Sequence, residues 1–191
     1  MKRSDTPITE RLVDPGTLMA TTHAAGGDLR VRLRLTRPSD GPAVRSFLER
    51  LSPETRNRRF LHAMPHVPET IVRRFTFYDP RRRLVVVATS FEAGAHEIVG
   101  LADIAHLETG LAELAVVVDD DRQGRGVGKL LTEATAALAI QQGATHLKAD
   151  LLEHNAAMLR LMERLGRTTR TYQDGVAAVF TRLPTRGRRA A

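Results

Sequence analysis

Val116, Val117 and Val118 run into Asp119-Asp120-Asp121-Arg122 and then into Gln123-Gly124-Arg125-Gly126-Val127-Gly128-Lys129. An apolar strand thus meets a turn with three alternate glycines, and a helical pattern starts at once. Glycine lets a backbone approach a ligand closely and take dihedrals that other residues resist. The free N–H groups at the following helix start converge on one spot, where the helix dipole favours negative charge. Arg125 and Lys129 add positive charge. The chemistry this suits is phosphate binding. Two nucleotide motifs are excluded. A P-loop needs glycine five positions before the Gly-Lys pair and Ser or Thr after it, and here those positions hold Gln123 and Leu130. The dinucleotide pattern Gly-x-Gly-x-x-Gly fails because the glycines fall at 124, 126 and 128.

Other chemistries find little support. The chain has no Cys, so it holds no thiol nucleophile, disulfide framework or cysteine-ligated zinc. Its seven histidines show no metal spacing; His62 and His66 are four apart, but Pro65 breaks the helix between them. No metal is expected. Asp119-Asp120-Asp121, beside phosphate-binding amides, reads as a solvated turn rather than a cation site. No Gly-x-Ser-x-Gly nucleophile motif occurs.

A folded chain must position the glycine loop. The 191 residues, 42% hydrophobic, suit one domain with a real core. Residues 1–28, rich in Thr, Ala, Gly and Asp without a sustained period, read as a flexible N-terminal extension. The folded domain spans 29–184, and a basic C-terminal tail follows at 185–191. Val31, Leu33 and Leu35 alternate with Arg32, Arg34 and Thr36, the pattern of a half-buried strand. Pro38-Ser39-Asp40 opens a helix with Val44, Phe47, Leu48 and Leu51 at helical spacing. Ser52-Pro53-Glu54 opens a second, ending near His62, with Ser52 as N-cap. A short third helix follows Pro68.

Residues 84–89, 98–105 and 112–118 then form an antiparallel meander, its first turn at Glu92-Ala93-Gly94-Ala95. A helix runs from Gly128 to Gly143 and a strand over 147–151. A last helix, 155–165, turns Met158, Leu159, Met162 and Leu165 inward and stops at Gly166. Asp174-Gly175 marks the closing hairpin. The expected fold is α/β, a mixed central sheet of about seven strands with four to five helices.

Gln123-Gly124-Arg125-Gly126-Val127-Gly128 resembles the Gln/Arg-x-x-Gly-x-Gly/Ala acyl-CoA signature of GCN5-related N-acetyltransferases (GNATs), and the element order over 29–183 resembles the GNAT fold. A narrower resemblance, to the catalytic domain of Pat-type protein lysine acetyltransferases, rests on four segments. They are Ser52-Pro53-Glu54-Thr55-Arg56-x-Arg58-Arg59-Phe60, Tyr78-Asp79, Ala112-Glu113-Leu114-Ala115-Val116-Val117-Val118 and Asn155-x-x-Met158-Leu159. The resemblance implies a parallel strand pair splayed at the acyl-CoA site. The backbone of Val116, Val117 and Val118 would pair with pantetheine. The amides from Gly124 to Lys129 would hold the pyrophosphate, and Asn155, also a natural N-cap, would bind the pantetheine arm. Some members of that group carry a fused cyclic-nucleotide-binding or synthetase-like domain. Residues 1–28 are too few for either, so no fused sensor is expected.

Acetyl transfer needs a deprotonated amine, and a free lysine amine, with a pKa near ~10.4, is mostly charged at neutral pH. A carboxylate close to the thioester can take that proton directly or through one water. Glu113 opens an otherwise apolar strand and matches the general base of the Pat-type pattern. Asp150, ending the next strand, is its competitor. A backbone N–H near Val116 is expected to meet the oxyanion. Many GNATs place a Tyr seven residues after the Asn to protonate the leaving thiolate; here that position is Met162, which cannot.

The sequence therefore reads as an acetyl-CoA-dependent N-acetyltransferase acting on protein lysines, an acyl-CoA synthetase-like protein being one candidate acceptor. A small-molecule amine acceptor and a non-catalytic acyl-CoA sensor are the alternatives. The formal charge of +7 is uneven: residues 29–83 are net +9 and residues 84–184 net −4. Aromatics are only 4%, without the interleaving that single-stranded nucleic acid needs, so no nucleic-acid partner is expected. Without a signal-like apolar stretch or a membrane span, the expected location is cytoplasmic. Arg56, Arg58, Arg59, Arg73 and Arg74 are expected to favour acceptor lysines set among acidic residues.

Overall fold

The computed structural model describes residues 18–22, 29–90 and 97–184. One sheet holds β1 (Leu18–Thr22), β2 (Leu29–Leu35), β3 (Arg83–Ser90), β4 (Glu97–Glu108), β5 (Leu111–Val118), β6 (His146–Leu152), β7 (Arg167–Gln173) and β8 (Val176–Arg182). Their order is β1-β2-β3-β4-β5-β6-β8-β7. The α-helices among the described residues are α1 (Gly41–Arg50), α2 (Pro53–Phe60), α3 (Glu69–Thr76), α4 (Val127–Gln141) and α5 (Ala156–Leu165). The meander β2-β3-β4-β5 is antiparallel, and β5–β6 is the parallel pair. The fold class is the one expected. No helix among the described residues is long and apolar enough to cross a membrane.

One strand was not foreseen. Leu18–Thr22 falls in the stretch expected to be a flexible extension, yet it pairs antiparallel with β2, Leu18 opposite Leu33 and Thr22 opposite Leu29. A short edge strand joins through backbone bonds alone, so it needs no hydrophobic alternation to betray it. The rest of 1–28, the turn at 92–95 and the tail 185–191 lie outside the described residues.

Local signals act where the sequence puts them. The Ser52 hydroxyl accepts the Thr55 N–H at 3.1 Å and caps α2. That helix stops at Phe60, slightly early, because Leu61 turns left-handed with φ 61°. Asp174 and Gly175, with φ 51° and 78°, make the β7–β8 turn. The start at Pro38 is a single 3-10 turn before α1. There the Asp40 carboxylate takes both guanidinium nitrogens of Arg34, at 2.6 and 2.8 Å, and the Arg37 N–H at 2.7 Å.

The two faces of the sheet are covered differently. Leu84, Ile104, Ala112 and Leu114 pack under α4 and α5 with Leu147, Met158 and Met162. On the opposite face Val85, Val87, Leu101 and Val117 pack under α1 and α3 with Val44, Phe47, Val72 and Phe75. Side chains alternate along β5, so Glu113 and Ala115 share the face of Val117. Gly100 on β4 lets α4 sit close: a Cβ there would lie 2.8 Å from Leu131 Cδ1 and 3.2 Å from Val127 Cγ1. Gly166 joins α5 to β7, where a Cβ would collide with the Arg182 carbonyl of β8.

Candidate functional site

The parallel pair does not run the length of its strands. Its register covers Leu111–His146, Ala112–Leu147 and Glu113–Lys148 and then ends, although β5 stays paired with β4 as far as Val118. Past Glu113 the β6 side of β5 is therefore an open edge whose N–H and C=O groups need partners. A cleft of about 430 Å³ opens beside it.

Most of the residues singled out from the sequence line this cleft: Val116, Val117, Val118, Gln123, Gly124, Gly126, Gly128, Lys129 and Asn155. Val127 and Arg125 do not. The Val127 side chain is fully buried in the core beneath α4, so only its backbone is available to a ligand. Arg125 lies in the loop, half-buried, outside the lining. Gly126 holds φ 83° as the N-cap of α4, with no side-chain cap and no acid in the first turn. The first helical bond is Leu130 N–H to the Gly126 carbonyl, at 3.1 Å. The earlier amides have no helical partner, and no side chain of the first turn supplies the negative charge that the dipole favours.

The lining also contains residues that the sequence did not assign to it: Arg58 and Arg59 from α2, expected on the acceptor side, with Thr55, Arg122 from the loop, and Ala157, Met158, Arg160, Leu161 and Arg164 from α5. Positions 157, 160, 161 and 164 share one helical face, which was the available signal. Among the described residues six cations line the cleft and no carboxylate does. Free amides, a glycine approach and that charge fit an extended polyanion such as a nucleotide diphosphate, and an apolar strand edge continues from it.

Asp119 and Asp120 correct the expectation of a solvated turn. Asp119 is buried and accepts Arg50 Nε at 2.9 Å. Asp120 accepts the Ser52 N–H and hydroxyl, both at 2.8 Å, and the Thr55 hydroxyl at 2.6 Å. Burial by itself pushes the Asp120 carboxyl up, but those donors outweigh it and hold it below its ordinary value. Gln123 Nε2 joins the Thr55 hydroxyl at 3.2 Å and the Val118 carbonyl at 3.3 Å. The turn is thus bolted to the start of α2.

Glu113 lies outside the cleft lining, half-buried, on the face of β5 that also carries Val117. Arg83, Ala105 and Glu113 form one cross-strand row, and Lys148 continues it on β6. Arg83 feels Glu113 and, more strongly, Asp103. Burial pushes its guanidinium down, Arg74 and Arg59 add to that, and the two carboxylates oppose it. Asp103 pairs with both Arg59 and Arg83. Asp150 accepts Lys148 Nζ at 2.8 Å, so the competing carboxylate already holds an ammonium.

The Asn155 side chain caps α5 by accepting the Met158 N–H at 3.2 Å, and the residue lines the cleft. Met162 is fully buried in the core. Tyr78 donates its hydroxyl to the Thr36 carbonyl, and Tyr172 lies on the edge strand β7. Among the described residues no group of three His, Asp or Glu side chains could hold a metal.

Comparison with known proteins points the same way. Residues 44–166 match the acetyltransferase (GNAT) family. Acetyltransferase PA5475 of Pseudomonas aeruginosa is 30% identical over 154 residues, covering 80% of this chain and 83% of that protein. Acetyltransferase Pat of Mycolicibacterium smegmatis is 33% identical over 112 residues, 51% of this chain but 34% of that protein. Among solved structures, the GNAT domain of the S. lividans protein PAT superposes with a TM-score of 0.75 at 28% identity, covering 86% of this chain and 97% of that domain.

Proposed function

The chain belongs to the GNAT family and is an acyl-CoA-dependent N-acetyltransferase, and from that premise we propose that it acetylates lysine side chains of proteins with Glu113 as general base. The observation that supports this most is the order of features along one strand. The parallel pairing stops at Glu113, the open edge follows through Val118, and the anion cradle follows that. Glu113 and Val116 are three residues, or about 10 Å, apart along β5. The glutamate side chain covers part of that distance toward the thioester, and water relays the acceptor's proton over the rest.

The steps follow from the groups present. Acetyl-CoA lies with its pyrophosphate on the amides from Gly124 to Lys129 and its pantetheine along Val116, Val117 and Val118, with the Asn155 amide toward the arm. Glu113 takes the proton of the acceptor ammonium. The free amine attacks the thioester carbon, and a backbone N–H near Val116 steadies the oxyanion. The attacking nitrogen gives its second proton to water, the C–S bond breaks and CoA leaves as a thiolate, acceptable for a thiol of pKa about 8.5. Buried Met162 and hydrogen-bonded Tyr78 both speak for water, not a side chain, as its proton source.

A protein acceptor is favoured by the exposed surface beside Arg83. Arg56 is committed to the Leu48 and Glu49 carbonyls, Arg58 to Glu54 and Arg59 to Asp103. Arg73 and Arg74 are exposed on α3, and Arg73 stands 5.1 Å from the ring centre of Phe77, itself 54% exposed. An aromatic flanked by cations suits an acidic segment around the acceptor lysine. The five-arginine expectation narrows to these two.

The test is to incubate wild-type and Glu113→Gln protein with acetyl-CoA and either a deacetylated proteome, an acyl-CoA synthetase panel or small amines. Acetyl-lysines are mapped by mass spectrometry and free CoA is followed. The variant should bind acetyl-CoA normally and turn over about 100-fold more slowly. Wild-type-like turnover removes Glu113 from the mechanism. Activity on small amines alone overturns the protein acceptor, and binding without any CoA release makes the chain a sensor.

A further inference from the structure

The cleft holds more positive charge than a diphosphate on the α4 amides requires. Four of its six cations are engaged within the protein. Arg58 pairs with Glu54, Arg59 with Asp103 and Lys129 with Glu133, and Arg122 also has a partner. Arg160 and Arg164 form no hydrogen bond or ion pair with any described residue, Glu163 between them included. They are one helical turn apart on α5, both facing the cleft. Leu161, on the same face, packs toward the first turn of α4: a Cβ added to Gly128 would lie 3.4 Å from Leu161 Cδ1. The two arginines therefore line the same cleft as the glycine loop, on a helix face that packs against the start of α4.

Acetyl-CoA carries one further anion, a ribose 3′-phosphate. A phosphomonoester of this kind bears close to two charges at neutral pH, and the guanidinium fork matches its oxygens. Resting on the reading of this cleft as the acetyl-CoA site, we infer that Arg160 and Arg164 form a phosphomonoester subsite for the 3′-phosphate. They make the enzyme choose CoA over carriers that end in an unphosphorylated ribose. The contact is exposed, so its strength falls with ionic strength.

Calorimetry with CoA and with dephospho-CoA tests this on wild type and on the Arg160→Gln/Arg164→Gln double variant, alongside kcat and KM for the two acetylated forms. Wild type should bind CoA about tenfold more tightly than dephospho-CoA, the scale of two charge-assisted contacts discounted for exposure. The double variant should bind the two within about twofold, its KM for acetyl-CoA rising and its kcat holding. Retained dephospho-CoA binding shows that the variant is folded. Equal weakening toward both ligands would move the arginines to the pyrophosphate and overturn the inference, as would a wild type that does not discriminate. A wild type that binds neither ligand overturns the acetyl-CoA reading of the cleft itself.

Discussion

Replacing Asp103 with Asn isolates the polar centre of the sheet face that carries Glu113. Asp103 sits on β4, 4% exposed, between Arg59 descending from α2 and Arg83 on β3. The Arg59 and Arg83 side chains are 11% and 15% exposed, so neither reaches solvent freely. Arg59 is further held 5.1 and 5.4 Å from the ring centres of Phe60 and Phe75. Asn keeps the shape of Asp but leaves two guanidiniums without a counter-ion. Breaking a fully buried pair costs 3–5 kcal/mol, and the residual exposure of both arginines argues for the lower end, about 3 kcal/mol. For a chain of this size that is a fall in Tm of about 6–12 °C.

Thermal unfolding followed by circular dichroism at neutral pH reads this loss directly. Arg83 also lies in the field of Glu113 across Ala105. Released from Asp103, it turns to Glu113 and competes with the acceptor ammonium, so kcat should fall while the KM for acetyl-CoA holds. Adding Arg83→Met should restore part of both, with a coupling energy of about 1.5 kcal/mol or more. A loss below about 2 °C, or single effects that add within about 0.5 kcal/mol, would refute the reasoning.

Gly124 and Gly143 both hold positive φ, 72° and 92°, and a Cβ at either meets nothing within 4 Å. Alanine at each should cost about 1 kcal/mol through the left-handed backbone, measured by urea unfolding. Only Gly124→Ala, in the cleft wall, should also raise the KM for acetyl-CoA, by about fivefold or more; equal KM values for the two variants would count against the cradle. The Asp120 carboxyl, held below its ordinary 3.8 by the Ser52 and Thr55 donors, stabilises the fold in full above that value. The contribution is lost as pH falls through the lowered folded value. Asp120→Asn should therefore lose about 1 kcal/mol at pH 7, and the gap to wild type should shrink below pH about 4. A gap that persists unchanged into acid would show that ionisation of Asp120 is irrelevant.

What could be read in advance followed from rules that act over a few residues. Ser52 and Asn155 cap because a short polar side chain reaches an amide three positions on. Asp174-Gly175 turns because both positions tolerate positive φ. The glycine loop declares itself by alternation. What could not be read depends on residues far apart in the chain. Asp120 meets Thr55 across 65 positions and Asp119 meets Arg50 across 69. From the sequence alone a run of three aspartates is indistinguishable from a solvated turn. Arg59, Asp103 and Arg83 likewise come from three elements brought together only by the packing of α2 on the sheet. The strand Leu18–Thr22 stayed hidden because an edge strand needs partners more than pattern.

The uneven charge along the chain has a structural cause. The arginine-rich half, net +9, and the acidic half, net −4, are stitched to each other. Arg50 meets Asp119 and Glu97, while Arg59 and Arg83 meet Asp103. These pairs tie α1 and α2 to β4 and to the turn before the anion cradle. They also neutralise Asp119, which would otherwise repel a diphosphate bound as proposed on the glycine loop, and the α2 N-terminus does the same for Asp120. Composition alone suggests a diffuse basic protein. Arg160 and Arg164, in the cleft, and Arg73 and Arg74, exposed on α3, are among the arginines that these pairs leave over. On the reading proposed above, a charge reversal at Arg73 and Arg74 should lower kcat/KM for protein acceptors and flatten its salt dependence, with acetyl-CoA binding untouched, because the two arginine pairs then serve different substrates.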